Sequence, residues 1–176
     1  MEKIAVIGLG YVGLPVATAF AKIYDSVVAY DISSERVDEL RGGLDRNGDV
    51  SSEILIDHKE VFTSEPSKLS DSTFYVVAVP TPIDTDYKPD LGSLTSACEL
   101  IGRYLVKGDL IVVELTVYPG ATEEVCVPIL EQNSSLKFNQ DFFCGYSPER
   151  INPGDKNHSL KKVIKITSGS NKLSSI

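Results

Sequence analysis

The run Gly8-Leu9-Gly10-Tyr11-Val12-Gly13 lies between an apolar stretch, Lys3-Ile4-Ala5-Val6-Ile7, and a helix-like stretch from Leu14 to Ile23. Strand, glycine turn and helix in that order commit the start of the chain to a βα unit. Each glycine has its own task in such a turn. Gly8 permits the tight bend, Gly10 leaves the backbone bare for close approach, and Gly13 lets the helix pack against the strand.

The rest of the chain keeps the alternation. Apolar, β-rich runs occur at 3–7, 26–30, 73–79, 109–113, 138–143 and 162–167, with a short candidate at 61–63. Helix-like runs occur at 14–23, 34–41, 93–105 and 120–132. Strands alternating with helices imply parallel βαβ units with right-handed crossovers. Strands that are apolar nearly throughout imply helices on both sheet faces. The expected fold class is therefore α/β: a doubly wound, mostly parallel, Rossmann-like sheet. The stretches Arg41–Ser52 and Pro80–Gly92 read as polar loops. The tail from Ser168 reads as the start of a connection to something else.

A strand–glycine turn–helix presents backbone N–H groups and a helix N-terminus to a pyrophosphate. The second strand, Ser26-Val27-Val28-Ala29-Tyr30, ends at Asp31. A carboxylate about 20 residues past the glycines accepts hydrogen bonds from an adenosine ribose and repels a 2′-phosphate, which favours NAD over NADP. Asp31 or Ser33 also suits the N-cap of a helix over 34–41.

Charge and cysteine usage narrow the alternatives. A formal net charge of −8 over 176 residues argues against a nucleic-acid surface. No apolar run is long enough to span a membrane, and the N-terminus has no signal-peptide layout. Cys98, Cys126 and Cys144 are odd in number and widely spaced. They read as core thiols in a reducing, cytoplasmic compartment, with no metal-ligand spacing.

Three further strand ends carry polar groups. Tyr75-Val76-Val77-Ala78-Val79 runs into Pro80-Thr81-Pro82, placing Thr81 to offer a hydroxyl to the cofactor. Leu110-Ile111-Val112-Val113 runs into Glu114-Leu115-Thr116-Val117-Tyr118-Pro119-Gly120. Phe142-Phe143 leads towards Gly145-Tyr146-Ser147-Pro148-Glu149-Arg150, where a carboxylate beside a guanidinium could hold a water or a substrate anion. The same pair also reads as a surface ion pair of little energetic weight.

Taken together, these motifs resemble the UDP-glucose/GDP-mannose dehydrogenase family. Gly-Leu-Gly-Tyr-Val-Gly-Leu-Pro (8–15), Val-Pro-Thr-Pro (79–82), Thr-Val-Tyr-Pro-Gly (116–120) and Ser-Pro-Glu-Arg-Ile-Asn-Pro-Gly (147–154) occur in family order. The stretches from Tyr118 and from Ser147 look most like the branch that oxidises UDP-N-acetylhexosamines. The resemblance implies oxidation of a UDP-sugar C6 alcohol to a carboxylate with two NAD, through a cysteine-bound intermediate. It implies that Gly8, Gly10, Tyr11, Val12 and Gly13 cradle the cofactor, that Asp31 and Arg36 hold its adenosine ribose, and that Thr81 contacts it. Thr116 would lie between cofactor and active-site water, with Glu149 orienting or deprotonating that water or acting on the thioester.

Two departures accompany the resemblance. Leu115 stands where the family usually has serine, which removes a hydroxyl near the cofactor. The family's glycine-rich catalytic-cysteine motif, and the lysine and asparagine of its central helix, are absent. Residues 1–176 are therefore expected to form the NAD-binding domain alone, inactive without the substrate domain and the central helix through which the full-length enzyme would form a homodimer. Two other readings stay open: the first domain of a 3-hydroxyacid-type dehydrogenase, and a stand-alone nucleotide-sensing module.

Overall fold

In the computed structural model, residues 3–83, 85–149 and 166–171 are described. Seven strands form one sheet: β1 (Ile4–Ile7), β2 (Val27–Tyr30), β3 (Phe62–Thr63), β4 (Phe74–Val77), β5 (Leu110–Val113), β6 (Phe143–Tyr146) and β7 (Ser168–Gly169). Their spatial order is β3-β2-β1-β4-β5-β6-β7. All neighbours are parallel except β6 and β7. Chain order reverses direction between β1 and β4. A doubly wound sheet opens a crevice at such a switch point, outside the carboxyl ends of its strands.

Period-two alternation explains why both faces are covered. Ala5, Ile7, Tyr75, Val77, Ile111 and Val113 point into one core, shared with α4 (Gly92–Gly102) and α5 (Val127–Ser134). Ile4, Val6, Val27, Ala29 and Val76 point into the other, shared with α1 (Gly13–Ala21), α2 (Ser34–Arg41) and α3 (Ser52–Asp57). A strand buried on both sides has no polar face to show, which is why its sequence reads as a continuous apolar run.

Helix boundaries follow local chemistry. The Ser33 side chain accepts from the Arg36 amide at 3.2 Å and caps α2, with Glu35 in the first turn and Arg41 in the last. Asp90 Oδ1 accepts from the Gly92 amide at 2.8 Å at the start of α4. The helix expected over 120–132 is divided into a π-helical turn, Thr122–Cys126, and then α5. Pro128 supplies the reason: it has no N–H to donate and its ring crowds the preceding turn, so the ladder widens there.

Two expectations change. The strand expected at 138–143 is β6, which begins only at Phe143, because Asn139 takes φ 60° and turns the chain. Phe138 and Phe142 still pack together, their ring centroids 5.8 Å apart, so their apolar character belongs to a buried turn. The run expected at 162–167 lies mostly outside the described residues. Ser168–Gly169, read as the start of a connection, form the antiparallel edge strand β7. The short helix α3 has one buried residue, Leu55, and so shows no periodicity in the sequence.

Candidate cofactor site

The parallel ladder continues past the strand ends and aligns the loops that leave them. Gly8 donates to Tyr30 O, Ala78 to Ile7 O, Glu114 to Val77 O and Ser147 to Val113 O, all at 2.8–3.0 Å. The glycine turn is thereby set against the ends of β2 and β4. Gly8 has φ +92°, and a Cβ there would meet Ala78 O at 2.8 Å, so no other residue fits. A Cβ at Gly13 would collide with the Gly8 carbonyl oxygen. Around Gly10 a Cβ would meet nothing within 4 Å. The close packing that excludes side chains at Gly8 and Gly13 stops at Gly10, which opens to solvent.

Helix α1 leaves its first turn uncapped. Val12 provides no side-chain cap and no acidic residue lies in the first turn. Among the described residues, the amides of Gly10, Tyr11, Val12 and Gly13 donate to no acceptor; the intrahelical ladder begins with Leu14 donating to Gly10 O at 3.1 Å. These are the orphan donors of a helix start, at the positive end of its dipole. A cleft of about 760 Å³ reaches the first of them at Gly10, lined by Gly8, Leu9, Gly10, Asp31 and Arg36 on one side and by Val79, Pro80 and α4 on the other.

Asp31 sits half-buried at the cleft wall. Its Oδ2 accepts from the Leu9 amide at 2.8 Å and its Oδ1 from the Ser33 amide at 2.9 Å. Each oxygen has a second lone pair for a ribose hydroxyl. Ser33, not Asp31, is the side chain that caps α2, while Asp31 orients it. Arg36 is 7% exposed and mostly committed elsewhere. Its Nε donates to Leu9 O at 3.1 Å and its Nη2 to Asp45 Oδ1 at 2.7 Å, while Nη1 has no hydrogen-bond partner.

The other strand ends meet beside the glycine turn. Thr81 donates its hydroxyl to Thr116 O at 3.0 Å, which leaves only the lone pairs of that oxygen for another partner. Tyr146 donates its phenol to Leu115 O at 3.2 Å, tying the loop after β5 to β6. The Tyr11 phenol is pushed up by burial and then by the Glu149 carboxylate, which puts Glu149 on the glycine-turn side of the sheet. Thr116 is exposed and Glu149 half-buried. Leu115 is 4% exposed and packs into the core, so its replacement of the family serine alters packing beneath the loop.

The cysteines do not join this site. Cys98 on α4, Cys126 in the π turn and Cys144 on β6 are free and buried in one core. The bond to Cys126 and then burial push the Cys98 thiol up, and burial pushes the Cys144 thiol up. No cluster of His, Cys, Asp or Glu among the described residues could hold a metal. No helix among them is long and apolar enough to cross a membrane. Sequence reasoning missed Asp45 and the α4 wall, where Ser96 and Arg103 line the cleft. The α4 residues reach the cleft, and Asp45 reaches Arg36 beside it, only through tertiary packing.

A parallel sheet with a crevice at its switch point, an open glycine and uncapped helix amides beside a carboxylate define a dinucleotide-binding α/β domain. The chain belongs to the UDP-glucose/GDP-mannose dehydrogenase family: residues 2–176 match that family's NAD binding domain. It is 53% identical over 169 residues to the UDP-N-acetyl-D-glucosamine 6-dehydrogenases of Salmonella typhi and Pseudomonas aeruginosa, 96% of this chain but 40% of each relative. The structure of a UDP-D-ManNAc dehydrogenase from Pyrococcus horikoshii superposes with a TM-score of 0.86 at 32% identity, covering 98% of this chain and 42% of that one. The chain thus spans about two-fifths of the length of these relatives.

Proposed function

We propose that this chain is the cofactor-holding part of a UDP-sugar 6-dehydrogenase that oxidises the C6 alcohol of a UDP-N-acetylhexosamine to a carboxylate. The carrying observation is the set of four unsatisfied amides, Gly10 to Gly13, beside an open Gly10 and the Asp31 carboxylate. The likeness to UDP-N-acetyl-D-glucosamine 6-dehydrogenases supports the substrate class.

Bound NAD supplies the hydride acceptor. The chain's own residues bind and orient it. The α1 amides hold the pyrophosphate by charge-assisted hydrogen bonds. Asp31 accepts from the ribose hydroxyls through its remaining lone pairs. Thr81 and Thr116 border the nicotinamide end, and Glu149 orients or deprotonates a water there. On this reading residues 1–176 are the cofactor domain. The substrate domain and the helix that forms a homodimer belong to a further segment of a cytoplasmic enzyme.

Calorimetric titration with NAD and NADP tests the cofactor half. NAD binds more tightly to the wild type, and Asp31→Ala narrows the difference by removing the repulsion of a 2′-phosphate. Equal or tighter NADP binding by the wild type sinks the reading.

A further inference from the structure

Leu9 is held at both of its backbone groups, which belong to successive peptide planes. Its N–H donates to Asp31 at 2.8 Å, and its carbonyl accepts from Arg36 Nε at 3.1 Å. Arg36 is fixed in turn by Asp45, whose side chain is 1% exposed and does not line the cleft. Asp45 Oδ1 takes Arg36 Nη2 at 2.7 Å and the Asn47 amide at 3.2 Å, while Oδ2 takes the amides of Asp49 and Val50 at 2.8 and 3.1 Å. A buried carboxylate with four donors is rigidly placed, and a planar guanidinium transmits that placement because its N–H groups keep fixed angles to one another.

From this relay we infer that Asp45 is a positioning residue for the dinucleotide: through Arg36 it sets the Leu9–Gly10 peptide plane, and so the aim of the Gly10 N–H at the pyrophosphate. The step from carbonyl to amide is covalent. In a trans peptide the C=O and the following N–H share one plane and point to opposite sides, so fixing Leu9 O fixes the Gly10 N–H. Gly10 has no side chain of its own to hold that plane, and around it lies open space. Without the relay the peptide is free to rotate, and each binding event must order it again.

The inference rests on the cofactor reading and assigns Arg36 a task different from holding ribose. Arg36 lines the cleft, but two of its donors are spent on Leu9 O and Asp45, so what it holds is the backbone of the glycine turn. Burial works to raise the Asp45 carboxyl, yet the bonds from Arg36 and the three amides hold it below the usual carboxylate range. The anchor therefore stays charged throughout the neutral range.

The test compares ligands that carry the pyrophosphate with one that lacks it. NAD and ADP are titrated calorimetrically, and adenosine by NMR, into the wild type and Asp45→Asn. The expected result is a roughly tenfold loss for NAD and ADP, the scale of a charge-assisted bond, with adenosine unchanged. A merely structural role would weaken all three in proportion, and that result overturns the inference, as does unchanged NAD affinity. Arg36→Lys provides a second variant should the first not fold. It keeps the charge opposite Asp45, but one ammonium cannot span Leu9 O and Asp45 together, so the same split is expected. A folded wild type that binds adenosine but neither NAD nor ADP refutes the cofactor reading itself, a result distinct from failure of the relay.

Discussion

Single residues at the two ends of the sheet make opposite demands. Gly10 is open because the ligand must come to the backbone. Gly10→Val leaves the fold intact, since its Cβ meets nothing within 4 Å, but places a branched side chain where the pyrophosphate must lie. NAD binding is expected to disappear in calorimetry while the thermal midpoint barely moves. Asp109, at the start of β5 and far from the cleft loops, is 1% exposed. Its Oδ2 accepts from the Val106 amide at 2.9 Å, but Oδ1 has no partner. Burial, against that one favourable bond, pushes its carboxyl up to about 6. The native state then binds a proton that the unfolded chain releases near pH 4, so this group's contribution to stability falls as pH rises from about 4 to about 6. Asp109→Asn should be more stable than the wild type at pH 7 by about 1–3 kcal/mol, the gap closing towards pH 4. Urea unfolding at both pH values checks the difference, and a gap that does not shrink on acidification would refute it.

At the scale of elements, the βα unit was legible because its signals are local. Strand, glycines, helix start and acid all lie within the first 31 residues, and β1, β2, β4 and β5 lie inside the runs that predict them. Helix α1 touches its strand through Gly13, where a Cβ would strike the Gly8 carbonyl. Gly13→Ala should therefore cost at least about 2 kcal/mol by overpacking, read as a lower urea midpoint with unchanged slope. What the sequence hid is non-local or masked by composition. Phe138 and Phe142 suggest a strand, yet Asn139 bends the chain between them, and only the pairing of β6 with β5 reveals the true register. The π turn before α5 is a response to Pro128 that periodicity alone smooths over. Asp45 looks like one more acid in a loop of Gly, Asp and Asn. Nothing near it in sequence announces Arg36 Nη2 at 2.7 Å or, beyond it, the carbonyl of Leu9.

For the whole molecule, the arrangement separates holding a cofactor from completing a reaction. The cleft is walled by the glycine turn, Asp31, Val79, Pro80 and α4, whereas the three thiols lie in the core between α4, α5 and β6. The 176-residue polypeptide is expected to bind NAD yet form no NADH with UDP-glucose, UDP-N-acetylglucosamine, UDP-N-acetylgalactosamine or GDP-mannose. A native thiol assay should find none of the three cysteines reactive. Sustained turnover would contradict this, and a reactive thiol would show which cysteine to pursue. The strand order has one more consequence, in time rather than space. Strand β1 pairs with β2, 23 residues on at Ile4↔Val27, and with β4, 70 residues on at Ile4↔Phe74. The cleft has the glycine turn on one wall and Val79, Pro80 and α4 on the other, so it does not exist until the distant strand docks. Long-range parallel pairing of this kind is slow to form. The dinucleotide therefore arrives too late to guide the chain through its folding barrier, and its stabilising effect falls on the rate at which the finished domain comes apart.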